Sequence, residues 1–177
     1  SIVEKAYSPR IKKSILYAGS CYKGKGIDRI IYLSKKLTEY KFFIANNENY
    51  NNNNVKKEMR LKNIHWMGKL KRNDLYSLID KVEFCILPND PYYKSNSFTS
   101  PMKLFEYMSR GKALILSPIE TVLEIFPENS YISMGKSIQD LDAAAIQIRT
   151  VKSSNLNKYS LELIKNFTWE ERAKNIY

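Results

Sequence analysis

The chain has 177 residues, 44% of them hydrophobic and 27% charged, the proportions of a soluble folded domain and not of a disordered chain. Lysine and arginine number 29 against 18 aspartates and glutamates, a net charge of +11 that suits anionic partners: nucleotides, nucleic acid or an anionic membrane surface. Two cysteines, Cys21 and Cys85, exclude a disulfide framework, and with one histidine they exclude a zinc site; no apolar run reaches the roughly 18 residues of a membrane span and no signal peptide is seen, so a reducing, cytoplasmic setting is expected.

SILYAG (14–19) reads as a strand. A turn with Gly24 and Gly26 follows, then a helix with Ile27, Ile30, Ile31 and Leu37 on one face. KFFIA (41–45) is the second strand, and NNENYNNNN (46–54) is a polar, low-complexity loop ahead of a short helix near 55–61. NIHWMG (63–68) reads as a strand ending in glycine, and Asn73 is placed to cap a helix carrying Leu75, Leu78 and Ile79. VEFCILP (82–88) is a near-continuous apolar strand, in which Cys85 is a core thiol. The loop 89–99 leads to SPMKLFEYMSRGKALILS (100–117). There Ser100 caps a helix begun by Pro101. Pro101, Leu104, Phe105 and Met108 form its apolar face, and Lys103, Glu106, Tyr107 and Arg110 the opposite one. Gly111 stops it, and ALILS (113–117) is a strand. Residues 120–125 look helical, SYISM (130–134) is a short strand, and Ile138, Leu141, Ala145 and Ile148 mark a further helix. One or two helices fill 156–177.

Strands alternating with helices, the strands apolar on both faces, predict an α/β fold with a doubly wound parallel sheet. No internal repeat or linker divides the chain, so 1–177 is read as one domain. Ligands of such sheets bind at the carboxyl ends of strands, where the strand order switches. In the order 3-2-1-4-5-6 the loops after the first and fourth strands flank one crevice.

Both loops carry suitable chemistry. The first, GSCYKGKGID (19–28), nearly spells a phosphate-binding P-loop, but Gly26 stands where a serine or threonine would ligate magnesium. The dinucleotide glycine pattern also fails, because Arg29 replaces the third glycine. A strand, a flexible glycine turn, Lys25 and a helix start remain. At the second loop, a helix N-terminus with Lys103 attracts an anion, and the Glu106 carboxylate one turn further can hold a diol. The plain alternatives are a solvated Lys103–Glu106 ion pair and a turn that merely needs its glycines. His65, in a strand beside Trp66, reads as structural.

Taken together, these segments resemble the C-terminal, nucleotide-sugar-binding domain of a retaining glycosyltransferase of the GT-B fold, family 4. The matching pieces are LYAG followed by Lys25-Gly26-Ile27-Asp28, HWMGKLKRNDLYSLI (65–79), the helix Ser100-Pro101-x-Lys103-x-x-Glu106-Tyr107-Met108 with Gly111 and Lys112, and FTWEERA (167–173). The resemblance implies a Rossmann-like sheet of about six strands forming one half of a GT-B fold. It implies that Glu106 binds ribose hydroxyls, that Lys25 meets the donor phosphates, and that Gly19 lets backbone approach the diphosphate. Glu106 and Lys25 are the residues it makes catalytic. Ser20 follows that glycine, Met67, Gly68 and Leu70 belong to the turn that borders the base, and Phe98, Thr99, Ser100, Pro101, Lys103 and Leu104 surround the pyrophosphate or sugar. The chain departs from the family at Phe98, where many members have a glutamate, and at Ser20, where many have an arginine.

The implied activity is metal-independent transfer of a sugar, with retention, from a UDP- or GDP-sugar to an acceptor hydroxyl, without a cofactor. The acceptor half of such an enzyme is missing, so the expected partners are the donor, that missing N-terminal domain and an anionic membrane surface, with little transfer by this chain alone. A P-loop-like NTPase and a basic nucleic-acid-binding module are the competing readings.

Overall fold

In the computed structural model of the chain, the described residues are 11–46, 61–94, 102–127 and 129–167. Six parallel strands form one sheet: β1 (Ser14–Ala18), β2 (Lys41–Ala45), β3 (Ile64–Gly68), β4 (Phe84–Leu87), β5 (Ala113–Leu116) and β6 (Ile132–Ser133). Their spatial order is β3-β2-β1-β4-β5-β6, the order in which the loops after the first and fourth strands flank one crevice, with the switch between β1 and β4. The helices are α1 (Ile27–Lys36), α2 (Arg72–Lys81), α3 (Met102–Ser109), the single turn α4 (Glu120–Leu123), α5 (Ile138–Thr150) and α6 (Ser153–Ile164), and a 3-10 turn follows at Lys165–Phe167.

The sheet separates two apolar layers. Alternate strand residues Ile15, Tyr17, Phe42, Ile44, Phe84 and Ile86 face α1 and α5, where Ile30, Leu33, Leu141 and Ile148 meet them. Leu16, Ala18, Cys85, Leu114 and Leu116 face α2 and α3 through Ile79, Leu104, Tyr107 and Met108. Each fully buried aliphatic side chain contributes about 1.5–3 kcal/mol, so the central strands, covered on both faces, are the most stable part of the molecule.

α6 joins the layers. Leu156 packs into the first and Leu163 and Ile164 against the second, so the helix crosses the amino ends of β4 and β5. Its polar side chains fasten that crossing: the Ser160 hydroxyl donates to the Lys112 carbonyl at 2.7 Å, and Ser153 donates to the Glu83 carboxylate at 3.2 Å. The Lys112 ammonium donates to the carbonyls of Asp80 and Val82 at 3.1 and 2.8 Å, closing the carboxyl end of α2. All these contacts lie at the sheet edge opposite the carboxyl ends.

Three expectations change. Asn73 lies inside α2, which Lys71 caps without a side-chain hydrogen bond, because Arg72 already has helical geometry. Tyr107 belongs to the buried face of α3, fully enclosed with Leu104 and Met108, because its hydroxyl finds a buried partner and its ring fills the core. The strands at 82–88 and 130–134 are shorter than read, at Phe84–Leu87 and Ile132–Ser133. The short helix near 55–61, the Ser100 cap, Pro101 and the end of the tail lie outside the described residues.

Candidate functional site

The site begins where β1 and β4 part. The two strands pair at Ile15–Phe84 and Leu16–Cys85, yet β1 continues to Ala18 and β4 to Leu87. The Ala18 N–H, which has left the ladder, donates to the Tyr107 hydroxyl at 3.0 Å. This bond ties α3 to the mouth of the crevice. Burial pushes the Tyr107 phenol well above its ordinary range, so it stays protonated.

The two loops flanking the crevice interlock. The Tyr17 hydroxyl donates to the Ser20 carbonyl at 2.5 Å, and its ring lies so close to Gly19 that a β-carbon there would meet that oxygen at 2.8 Å. The Asp90 N–H donates to the Gly24 carbonyl at 3.0 Å. Gly26 caps α1 with φ 71°, and a β-carbon on it would stand 1.8 Å from the Pro88 carbonyl oxygen. The missing serine or threonine of the P-loop pattern is therefore a packing requirement: no side chain fits there. Lys25 sits beside Gly26 with its ammonium 5.2 Å from the centre of the Tyr22 ring.

Two adjoining clefts open at this edge and share Ala18, Gly19, Ser20 and Lys103. The first, about 270 Å³, lies over the ends of β1 and β2 and is closed by Asn46, Lys69, Leu70 and Leu75. The second, about 290 Å³, lies over the switch point and is closed by Tyr22, Lys25, Leu87, Asn89, Met102, Ile119 and Val122. Lys103 stands on the wall between them. Its ammonium is 2.7 Å from a Glu106 carboxylate oxygen, with the two side chains 36% and 29% exposed, so neither charge is buried and both remain available to a ligand. Behind them the Tyr76 ring is held between Arg72 and Arg110, whose guanidinium carbons are 5.3 and 4.4 Å from its centre, and Arg110 pairs with Asp80 at 2.9 Å.

The structure thus brings together Gly19, Ser20, Lys25, Leu70 and Lys103, with Glu106 reached through Lys103. Leu104 is fully buried in the core behind α3. Met67 and Gly68 lie just outside the first cleft, Met67 exposed, while the Gly68 carbonyl accepts the Asn46 N–H at 3.0 Å. Phe98, Thr99, Ser100 and Pro101 lie outside the described residues. Sequence reasoning missed Asn46, Leu75, Tyr22 and Asn89. Asn46 was within reach: β2 neighbours β1, so the residue after β2 must border the same crevice.

The first-turn amides of α3 have no acceptor within their own helix, and Met102 and Lys103 of that turn line the second cleft together with Lys25, an arrangement suited to an anion. Cys85 is no nucleophile, since burial pushes its thiol up to about 12. His65 stacks on Phe43 with ring centres 5.2 Å apart, away from both clefts. Among the described residues, no three histidine, cysteine, aspartate or glutamate side chains are grouped to hold a metal ion.

The family model described as glycosyl transferases group 1 matches residues 12–150. No curated protein matches the sequence. Among solved structures the chain is similar to TarM (TM-score 0.76, 14% identity, covering 99% of this chain and 36% of that one). It is also similar to a sucrose-phosphate synthase from Thermosynechococcus elongatus (TM-score 0.73, 17% identity, covering 96% of this chain and 45% of that one), and to a chain of the GtfA/B complex (TM-score 0.71, 13% identity, covering 92% and 34%). At these identities the likeness is one of fold. The chain spans less than half the length of each of these structures.

Proposed function

The chain belongs to the glycosyl transferases group 1, and from that premise we propose that it is the C-terminal, donor-binding domain of a family 4 GT-B enzyme that transfers a sugar from a UDP- or GDP-sugar to an acceptor hydroxyl with retention. The observation that carries the reading is the pair of clefts at the switch point, joined by Gly19, Ser20 and Lys103. A nucleoside diphosphate has two parts of matching chemistry. Its nucleoside fits the cleft closed by Asn46, Leu70 and Leu75, with the Glu106 carboxylate accepting from the ribose diol. Its diphosphate fits the cleft with Lys25, Lys103 and the amino end of α3.

In the reaction the bond from the anomeric carbon to the diphosphate breaks, and negative charge gathers on the leaving oxygen. Two lysines and fixed amide dipoles meet that charge where it develops, which is the form of stabilisation that lowers a barrier most. This supply of positive charge supports a metal-independent departure. The acceptor is held by the other domain of the same enzyme, so this chain alone binds donor and transfers little. Peripheral contact with an anionic membrane surface belongs to the same reading.

Calorimetric titration with UDP, GDP, ADP and ATP, each with EDTA and with magnesium, tests it. Saturable binding of UDP or GDP in EDTA, weakened about 10- to 150-fold by Glu106→Gln as expected for a hydrogen bond to a charged group, supports the reading. Binding of ATP alone, dependent on magnesium, overturns it in favour of an NTPase.

A further inference from the structure

We infer that Tyr93 is a positioning residue for the diphosphate: its ring seals the glycine turn and so fixes Lys25 at the second cleft before a ligand arrives. The inference rests on the donor-domain reading and deepens it, because Tyr93 lines neither cleft. Lys25 stands between two glycines with left-handed backbones, Gly24 with φ 90° and Gly26 with φ 71°. Glycine has the widest conformational range of any residue, so Gly-Lys-Gly alone leaves the lysine free to move. Ordering one residue's backbone on binding lowers affinity about 5- to 30-fold. The fold removes that cost in advance by closing both glycines against the loop after β4. Gly26 abuts the Pro88 carbonyl, and Gly24 abuts the Tyr93 ring. A β-carbon on Gly24 would stand 2.4, 2.6 and 2.8 Å from three carbons of that ring.

The ring is delivered by a turn that is itself closed. The Tyr93 N–H donates to the Asp90 carbonyl at 3.2 Å, and the Tyr92 N–H donates to the Asp90 carboxylate at 2.9 Å. The Asp90 N–H in turn reaches the Gly24 carbonyl at 3.0 Å. One peptide link further, the Lys25 N–H donates to the Tyr22 carbonyl at 3.1 Å, closing the glycine turn from its other side. A ring that only filled space would belong to one of the two apolar layers. Tyr93 is half-buried and belongs to neither. Its packing against Gly24 therefore acts on the turn and not on the core, and a turn held in advance is what makes a binding charge effective.

The test uses the full chain, titrated calorimetrically with UDP, GDP, uridine and guanosine at a temperature where circular dichroism shows each variant folded. Tyr93→Ala should weaken the diphosphate about 5- to 30-fold, the cost of ordering one residue, and leave the matching nucleoside unchanged. Tyr93→Phe, which keeps the ring, should bind as wild type does. Tyr92→Ala removes a neighbouring side chain that is 74% exposed and should change neither ligand. Amide hydrogen exchange of the ligand-free chain reads the turn directly: the Lys25 N–H should exchange at least about fivefold faster in Tyr93→Ala and at the wild-type rate in Tyr93→Phe. The inference falls if Tyr93→Ala weakens nucleoside and diphosphate alike, if Tyr92→Ala or Tyr93→Phe acts as Tyr93→Ala does, or if exchange at Lys25 is unchanged. Wild type that binds neither UDP nor GDP overturns the donor-domain reading, and the role of Tyr93 with it. Wild type that binds, with Tyr93→Ala unchanged in both assays, removes the role of Tyr93 alone.

Discussion

Gly26→Ala and Gly68→Ala form a matched pair that measures how tightly the two crevice loops are locked. Both glycines have left-handed backbones, with φ 71° and 62°. A β-carbon on Gly68 meets nothing within 4 Å, so alanine there costs only backbone strain, about 1–2 kcal/mol. At Gly26 the same strain is joined by a β-carbon 1.8 Å from the Pro88 carbonyl oxygen. Relieving that overlap separates the loop after β1 from the loop after β4 and breaks the Asp90–Gly24 hydrogen bond of 3.0 Å. Overpacking and the lost bond bring the total to about 3–6 kcal/mol. For a chain of this size that lowers Tm by roughly 6–24 °C, against about 2–8 °C for Gly68→Ala. Thermal unfolding followed by circular dichroism compares the two. Equal losses would refute the interlocking of the loops. Gly26→Ser completes the P-loop signature, and the same reasoning predicts loss of stability with no gain of magnesium-dependent ATP binding. A gain would revive the NTPase reading.

Three further outcomes are expected. Tyr107→Phe leaves the Ala18 N–H buried without its acceptor and should cost about 1–3 kcal/mol in denaturant unfolding. Lys25→Ala should weaken UDP or GDP several-fold and leave the matching nucleoside unaffected, since Lys25 lines only the cleft assigned to the diphosphate; equal effects on both ligands would misplace the phosphates. Lys112 has its pKa lowered by burial from 10.5, so the unfolded chain binds more protons than the folded one between its folded value and 10.5. Its contribution to stability therefore rises with pH across that window and falls as pH drops through the folded value. The difference in stability between wild type and Lys112→Met should shift toward wild type as pH rises to 10.5, and a pH-independent difference would contradict this.

The parallel, doubly wound sheet was legible in the sequence because it follows from local rules: apolar runs make buried strands, and alternation with helices makes the sheet parallel; the strand order, on which the position of the crevice depends, follows from neither rule and comes from the structure. Tyr107 was misassigned because helical spacing cannot say whether a hydroxyl has a buried partner, and that partner, the Ala18 N–H, is contributed by a strand 89 residues away in sequence. The glycine pattern of 24–26 was legible as a turn, but the reason for Gly26 was not, since the Pro88 carbonyl that excludes a side chain comes from another strand. Lys103 and Glu106 were visible as a pair, and the pair forms at 2.7 Å; that Lys103 also divides two clefts depends on the packing of α3 against β1. Lys112, matched in sequence to the family's helix, closes the carboxyl end of α2 at the sheet edge opposite both clefts.

The most direct measurement of the central claim is an amide nitrogen–proton spectrum of the labelled chain titrated with UDP or GDP in EDTA. The account predicts shifts concentrated at Gly19, Ser20, Lys25, Asn46, Leu70 and Lys103, with Ser153 and Ser160 beneath the sheet unmoved. Shifts centred instead on the neighbouring surface cleft lined by Pro118, Glu120, Leu123, Glu124 and Lys136, or none at saturating nucleotide, would contradict it.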